Sequence, residues 1–276
     1  MSASPVTDEL ARLEAAIRRH DRLLTAYSGG IDSTVVAAVA HRVLGPGRAI
    51  AVIGDSPSLP RRELADAEAV AAAAGFELRR VEPNEQADAG YRANAGDRCY
   101  FCKTHLYATL HRAAADWQFD TLANGTNADD PGDHRPGLRA ADEAAVVSPL
   151  LEARLGKAAV RRVAAELGLP NRDKPAAACL ASRIPYGTPV TPELLARVEA
   201  AEAGLADLGY TGFRVRHHGD VARLELPAAA FTGLADPDRR RAVVDAVRAA
   251  GYTYVALDLE GFRSGSGNAT LTVSAT

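Results

Sequence analysis

The chain has 276 residues, 47% of them hydrophobic, and a formal net charge of −3. That length and apolar fraction suffice for a sizeable core in one or two domains, and so small a charge gives no general attraction to nucleic acid or anionic membrane. No apolar run reaches the ~20 residues of a membrane-spanning helix and the first residues lack a basic-then-apolar leader, so the expectation is a soluble cytoplasmic protein.

In chain order, a leading helix is expected over Thr7–His20, with Thr7 as its cap, acidic residues in its first turn and basic ones in its last. Leu23, Leu24 and Ala26 read as a buried strand, and Val35–Ala40 as an apolar helix. Ala49–Gly54 is a second strand, ending in the turn cluster Asp55–Ser58. Pro60 opens an alanine-rich helix to about Ala74, and Phe76–Val81 is a third strand. Arg92–Gln118 is mostly helical, Phe119–Asn124 a fourth strand, Pro131–Arg139 a mobile lid or connector, Val146–Leu150 a fifth strand and Lys157–Leu167 a helix. This alternation predicts an α/β fold with a doubly wound parallel sheet. Asn171–Gly187 reads as irregular. Pro185, Gly187 and Pro189 mark a boundary, dividing the chain into 1–188 and a smaller α+β domain over 189–276. The latter predicts a capped helix from Thr191 to Leu208, a hairpin of Phe213–His217 and Val221–Leu226, a helix over Pro237–Ala250, a last strand over Tyr252–Leu257 and a loose tail from Ser264.

Between the first strand and its helix lies Ser28-Gly29-Gly30-Ile31-Asp32-Ser33. A strand–glycine turn–helix aims backbone N–H groups and a positive dipole end at an anion. Gly29 and Gly30 let the backbone turn sharply and approach phosphate. Ser28 and Ser33 add hydroxyl donors, and Asp32 is placed to orient the turn or to meet Mg²⁺. No Gly-Lys-Ser/Thr follows, so this is not a Walker A loop, and the Gly-x-Gly-x-x-Gly dinucleotide turn is absent. The order resembles the PP-loop of ATP pyrophosphatases, which split ATP into AMP and pyrophosphate. In a parallel sheet the loops at the strands' carboxyl ends share one crevice. Ser56 and Ser58 therefore stand between a ligand role and plain turn chemistry, and Gly125-Thr126-Asn127-Ala128-Asp129-Asp130 is a second loop on that side.

The three cysteines are too few, and odd in number, for a disulfide framework, which favours metal or thiol chemistry. Cys99 and Cys102 form a Cys-x-x-Cys, and Cys179 lies in the irregular segment between Lys174 and Arg183, where cations favour a thiolate. Three thiolates suit an iron–sulfur cluster with one open iron. Independent thiols, or zinc with His105 as a fourth ligand, stay open. Arg214 and Arg216 alternate along one strand, followed by His217 and His218. They make either a phosphate or carboxylate clamp or a solvated face. Glu202 reads as a solvated mid-helix residue.

Taken together these segments resemble the LarE-type family of ATP-dependent sulfur transferases, which mature the nickel-pincer nucleotide of lactate racemase. The matching pieces are the loop from Ser28 to Ser33, Arg98-Cys99-Tyr100-Phe101-Cys102-Lys103, the loop from Gly125 to Asp130, Arg135–Arg139, Cys179–Gly187, Arg214–Asp220 and Asp258–Gly265. The resemblance implies a PP-loop domain followed by a smaller catalytic domain, often in a homohexamer, with ATP and Mg²⁺ as cofactors. It implies that a carboxylate of pyridinium-3,5-biscarboxylic acid mononucleotide is adenylated and then takes sulfur. Ser28, Gly29, Gly30, Asp32, Ser33, Ser56 and Asn127 would bind the nucleotide. Arg214 and Arg216 would grip the substrate phosphate, Ser182 and Arg183 would flank the reacting carboxylate, and Glu202 and Glu225 would lie near a metal. Family members with Cys99, Cys102 and Cys179 resemble thiolases whose 4Fe–4S cluster carries the sulfide, whereas others sacrifice the sulfur of the Cys179 equivalent. A transfer-RNA thiolase needs a basic surface, which the charge disfavours. An ATP-dependent amide synthetase needs an ammonia source with no region to house it. An ATP-binding regulatory module would make the thiols incidental.

Overall fold

The computed structural model describes residues 5–130, 136–175 and 178–263. The greater part of the expected lid, 131–135, and the tail from Ser264 lie outside the described residues. The chain divides into two compact units, one of residues 1–85 and 99–177, the other of 86–98 and 178–276.

The first unit opens with α1 (Pro5–Ile17), β1 (Leu23–Tyr27), α2 (Ile31–Leu44), β2 (Ala49–Gly54), α3 (Arg61–Ala74) and β3 (Leu78–Val81). The strands pair in parallel, in the order β3-β2-β1-β4, where β4 is Thr121–Ala123. Adjacent residues of each strand face opposite sides of the sheet. Leu23 and Ala49 accordingly join the core under α1, α2 and α8 (Lys157–Glu166), while Leu24 and Ile50 join the core under α5 (Arg98–Asp116) and α6 (Pro136–Glu143). Both faces are covered, which is why β1 and β2 read as continuous apolar runs rather than alternating ones. The expected helix over the first residues begins at Pro5, so Thr7 sits inside its first turn rather than before it.

The fifth strand expected at Val146–Leu150 is a single bridge. Val147 pairs with Ala123, and Pro149 then starts the short helix α7 (Pro149–Glu152). Proline cannot donate to a ladder, and its fixed φ suits the first helical position. Of the expected connector, Pro136–Arg139 forms the start of α6.

The second unit takes α4 (Ala89–Ala93), which precedes α5 in the chain, together with α9 (Pro192–Asp207), β5 (Arg214–His218), β6 (Val221–Glu225), α10 (Pro237–Ala249) and β7 (Tyr254–Leu257). β5 and β6 form the expected antiparallel hairpin, and β7 joins β6 in parallel. Thr191 caps α9, its hydroxyl accepting from Leu194 N–H at 3.3 Å. Val215, Ala222 and Leu224 pack with Ala201, Leu205, Val243 and Val247 into the core of this unit. Leu205 is fully buried there. Leu205→Ala should lower the unfolding free energy of this unit by about 3 kcal/mol, read as a shift of the urea midpoint with unchanged slope; a shift worth under about 1 kcal/mol would mean a looser core.

Candidate active site

In the first unit, β1 and β4 are adjacent while β2 lies on the other side of β1, so the strand order reverses between β1 and β4. Ligands of open parallel sheets bind beyond the strands' carboxyl ends at that point. The loops leaving it are Ser28–Gly30 and 124–130. Gly30 caps α2 in extended conformation with no side-chain hydrogen bond to the helix end, which leaves that end open to an anion. Gly29 has φ +74°, and a Cβ there would meet the Ala67 Cβ at 2.8 Å. The two serines brace the turn. Ser28 N–H donates to Ser33 Oγ at 3.2 Å, the two hydroxyls lie 3.1 Å apart, and Ser33 Oγ donates to the Gly30 carbonyl at 3.2 Å.

The second loop packs directly on the first. A Cβ on Gly125 would stand 2.7 Å from the Ser33 backbone nitrogen. Asn127 is buried, and its Nδ2 donates to Asp32 Oδ1 at 3.0 Å. Its Oδ1 accepts from Asp129 N–H at 2.9 Å and its own N–H donates to Asp130 at 3.0 Å. Burial pushes the Asp32 carboxyl above its ordinary value. The Asn127 hydrogen bond opposes this and the Asp130 charge adds to it. A hard oxygen donor of this kind fits Mg²⁺. Ser56 accepts from Ser58 N–H at 3.2 Å, a turn contact, while Ser58 Oγ reaches Glu85 at 3.4 Å.

Sequence reading missed Asn171. Its buried Nδ2 donates to the Gly29 carbonyl at 3.0 Å and to Thr34 Oγ1 at 2.8 Å. It therefore holds the glycine turn from behind. Nothing local signals this, because the partners are 137 residues away for Thr34 and 142 for Gly29.

In the second unit, the loop carrying Cys179 is bound by arginines. Arg183 Nη1 donates to the carbonyls of Ala178 at 2.7 Å and Cys179 at 3.0 Å, and to Ser182 Oγ at 3.0 Å. Its Nε and Nη2 reach the two oxygens of Glu202 at 2.9 and 3.2 Å. Arg216 Nη1 donates to the Ser182 carbonyl at 2.7 Å, and Arg98 Nη1 to the Ala181 carbonyl at 2.8 Å. Ser182 Oγ also donates to the Cys179 carbonyl at 2.8 Å. Glu202 is thus not solvated as expected: besides Arg183, it accepts from Val215 N–H at 3.1 Å. A fork-to-fork carboxylate fixes the guanidinium plane, and that plane then fixes the loop.

The register of the hairpin pairs Arg214 with Glu225 and Arg216 with Arg223. Directly opposed residues share a face, so three guanidinium groups stand on the face away from the core. This face is not a freely solvated one at Arg216, which is 8% exposed. Glu225 is fully buried and accepts from Arg216 at 3.0 Å and Arg223 at 3.1 Å; Arg223 also pairs with Asp258. Arg214 donates to the Phe213 carbonyl at 2.6 Å and lies 4.9 Å from the Phe262 ring centroid. His217 faces the core instead, its Nδ1 3.2 Å from the Tyr252 hydroxyl. Burial lowers the His217 pKa, with Arg197 and His218 acting in the same direction. Burial also lowers that of His218, with Arg223 and Arg216 adding to it. Tyr252 is pushed up to about 12 by burial.

None of the three cysteines is in a disulfide; Cys99 and Cys179 are exposed and Cys102 is half-buried. Cys99 and Cys102 lie three residues apart at the start of α5, so both point to one side of that helix. Within either unit, among the described residues, no three His, Cys, Asp or Glu side chains gather as a metal-holding group. None of the described helices is long and apolar enough to cross a membrane.

A parallel α/β sheet with a braced glycine turn at its switch point defines a PP-loop nucleotide-using class. A family model described as NAD synthase matches residues 13–118. The chain is 40% identical over 263 residues to the pyridinium-3,5-bisthiocarboxylic acid mononucleotide synthase of Lactiplantibacillus plantarum, covering 95% of this chain and 94% of that protein. It is 45% identical over 252 residues to an uncharacterized protein of Synechocystis sp., covering 91% and 94%, and 24% identical over 246 residues to one of Methanocaldococcus jannaschii, covering 89% and 92%. The chain belongs to the LarE-type family of ATP-dependent sulfur transferases.

Asp32 supplies a test. Its carboxyl pKa is raised on folding, so its protonated form favours the native state and its ionisation opposes it. The cost is absent at low pH and present once pH has risen through the folded value. Asp32→Asn should therefore raise the thermal midpoint at pH 7, with a gain that vanishes as pH falls below the ordinary 3.8. ATP turnover should fall about a hundredfold. A variant less stable than wild type at pH 7 would contradict this assignment.

Proposed function

We propose that this enzyme adenylates a carboxylate of pyridinium-3,5-biscarboxylic acid mononucleotide and converts it to a thiocarboxylate. The observation that carries this reading is the Cys179 loop. Its backbone is bound by Arg183 and Arg216, its thiol is exposed, and Arg216 belongs to the arginine face of the hairpin. An acceptor for sulfur that bears a phosphate would be met by fixed guanidinium groups and by a thiol on one scaffold.

The chemistry follows from the two loops. A carboxylate oxygen of the substrate attacks the α-phosphorus of ATP, and pyrophosphate leaves. The Ser28–Ser33 turn and the N-terminus of α2 would hold the departing charge, Asp32 would hold Mg²⁺, and Ser56 and Asn127 would complete the nucleotide site. The acyl-adenylate is a strong electrophile, so sulfur attack on its carbonyl carbon expels AMP. Arg214 and Arg216 would bind the substrate phosphate. Ser182 and Arg183 would steady the loop beside the reacting carboxylate. The first unit would handle ATP and the second, which carries the Cys179 loop, the pyridinium substrate, in a cytoplasmic homo-oligomer, a hexamer by the resemblance.

The cysteines offer two sulfur sources. Three thiolates are the donor set that a 4Fe–4S cluster with one iron lacking a protein ligand would take. When bound, that group would supply sulfide. Cys99, Cys102 and Cys179 are the residues that would hold it. A second reading rests on the exposure of Cys179. Its own sulfur would attack the acyl-adenylate, and cleavage of its Cβ–S bond with loss of the Cα proton would leave dehydroalanine.

Cys179→Ala should still release pyrophosphate from ATP with the pyridinium substrate while forming no thiocarboxylate. Intact mass after turnover separates the sources: an unchanged wild-type mass fits cluster-supplied sulfide, and loss of one hydrogen sulfide at Cys179 fits sacrifice. Full thiocarboxylate yield from Cys179→Ala would refute both.

A further inference from the structure

The second unit contains a polar clamp that none of these roles uses. Asn94 is fully buried and ends α4 in the left-handed region, with φ +53°. Its Nδ2 donates to the carbonyls of Pro185 at 2.8 Å, Thr188 at 2.9 Å and Ile184 at 3.3 Å. Its backbone carbonyl accepts from Gly187 N–H at 3.1 Å, and the Arg92 carbonyl accepts from Val190 N–H at 2.9 Å. Its Oδ1 accepts from Arg98, which is 4% exposed and which carries the bond to the Ala181 carbonyl. The Arg98 guanidinium also lies 5.8 Å from the Tyr186 ring centroid. Two side chains from residues 94–98 thus hold five residues spread over 181–188, about 90 positions later in the chain.

Chain order gives this clamp its meaning. Cys99 follows Arg98 directly, and Cys179 precedes Ala181 by two residues. The thiol-bearing loop is closed on its own side by Arg183 and Arg216, while the Asn94 and Arg98 side chains tie it to the segment that runs into the Cys-x-x-Cys. An arginine bonded to a carbonyl acts on the backbone, not on a reacting atom, so it sets where the neighbouring thiol sits. A misplacement of about 1 Å at a reacting group costs about a hundredfold in rate.

We propose that Asn94 and Arg98 are positioning residues for sulfur delivery: they fix the backbone of the Cys179 loop, so that ATP consumption and thiocarboxylate formation stay coupled. This rests on the functional reading above. The variants are Arg98→Met, Arg98→Lys and Asn94→Ala, each given ATP and pyridinium-3,5-biscarboxylic acid mononucleotide. Thiocarboxylate formed per pyrophosphate released should fall about tenfold in Arg98→Met and Asn94→Ala. Arg98→Lys keeps a charge and one reach to Ala181, and should recover part of that ratio. The KM for ATP should stay at the wild-type value. In the protein without substrates, amide exchange at Ser182, Ile184 and Gly187 should quicken about tenfold while Thr34 and Gly75 exchange as before.

An unchanged product-to-pyrophosphate ratio in folded Arg98→Met or Asn94→Ala overturns the proposal, and so does amide exchange that quickens equally across the chain. Should Arg98→Met not fold, Asn94→Ala carries the same comparison. If the wild-type protein itself forms no thiocarboxylate, the functional reading is what fails; local quickening at 182–187 still reports whether the clamp holds the loop.

Discussion

The loop that carries the exposed Cys179 thiol is not left to its own conformational freedom: its restraint comes from guanidinium groups that bind carbonyl oxygens. Arg98, Arg183 and Arg216 together take up the carbonyls of Ala178, Cys179, Ala181 and Ser182. Ordering each residue of a free loop costs about 1–2 kcal/mol in backbone entropy. Several charge-assisted hydrogen bonds, each contributing about 1.5–3 kcal/mol, are enough to offset that over so short a stretch. The loop itself forms little more than a short 3-10 turn at Leu180–Arg183, so its shape depends on these side chains rather than on regular secondary structure.

The first unit reaches the same end with amides. Asn127 holds Asp32 and the loop that follows β4, and Asn171 holds the Gly29 carbonyl and Thr34. Asparagine offers a donor and an acceptor on one short, uncharged side chain, so it can be buried at less cost than an ion. The arginines in the second unit require more support. Glu225 has no solvent contact, and its charge is tolerable because Arg216 and Arg223 both reach it. Removing either partner would leave a buried charge uncompensated, which costs more than the intact pair gains.

Much of this architecture was legible in the chain. The apolar runs at Leu23 and Ala49 and the glycines between β1 and α2 announced a parallel sheet with an anion-binding turn, because both signals are local. The hairpin was legible from alternation around His218-Gly219-Asp220. Val146–Leu150 was misread as a strand because its apolar content fits one, while Pro149 limits the pairing to Val147. Glu202 was misread as solvated, since nothing near it in sequence reveals Arg183 or the Val215 N–H. Asn94, Asn171 and the association of residues 86–98 with the second unit were invisible for the same reason. Each rests on contacts over long chain separation, and periodicity carries no information about such contacts.

The central claim is that a carboxylate oxygen of the pyridinium substrate attacks the α-phosphorus of ATP. Substrate labelled with ¹⁸O in its carboxylates tests this most directly, with the released nucleotide read by mass spectrometry. The account predicts AMP carrying one ¹⁸O from the substrate, alongside unlabelled pyrophosphate. AMP without the label, or ADP and phosphate in its place, would contradict it.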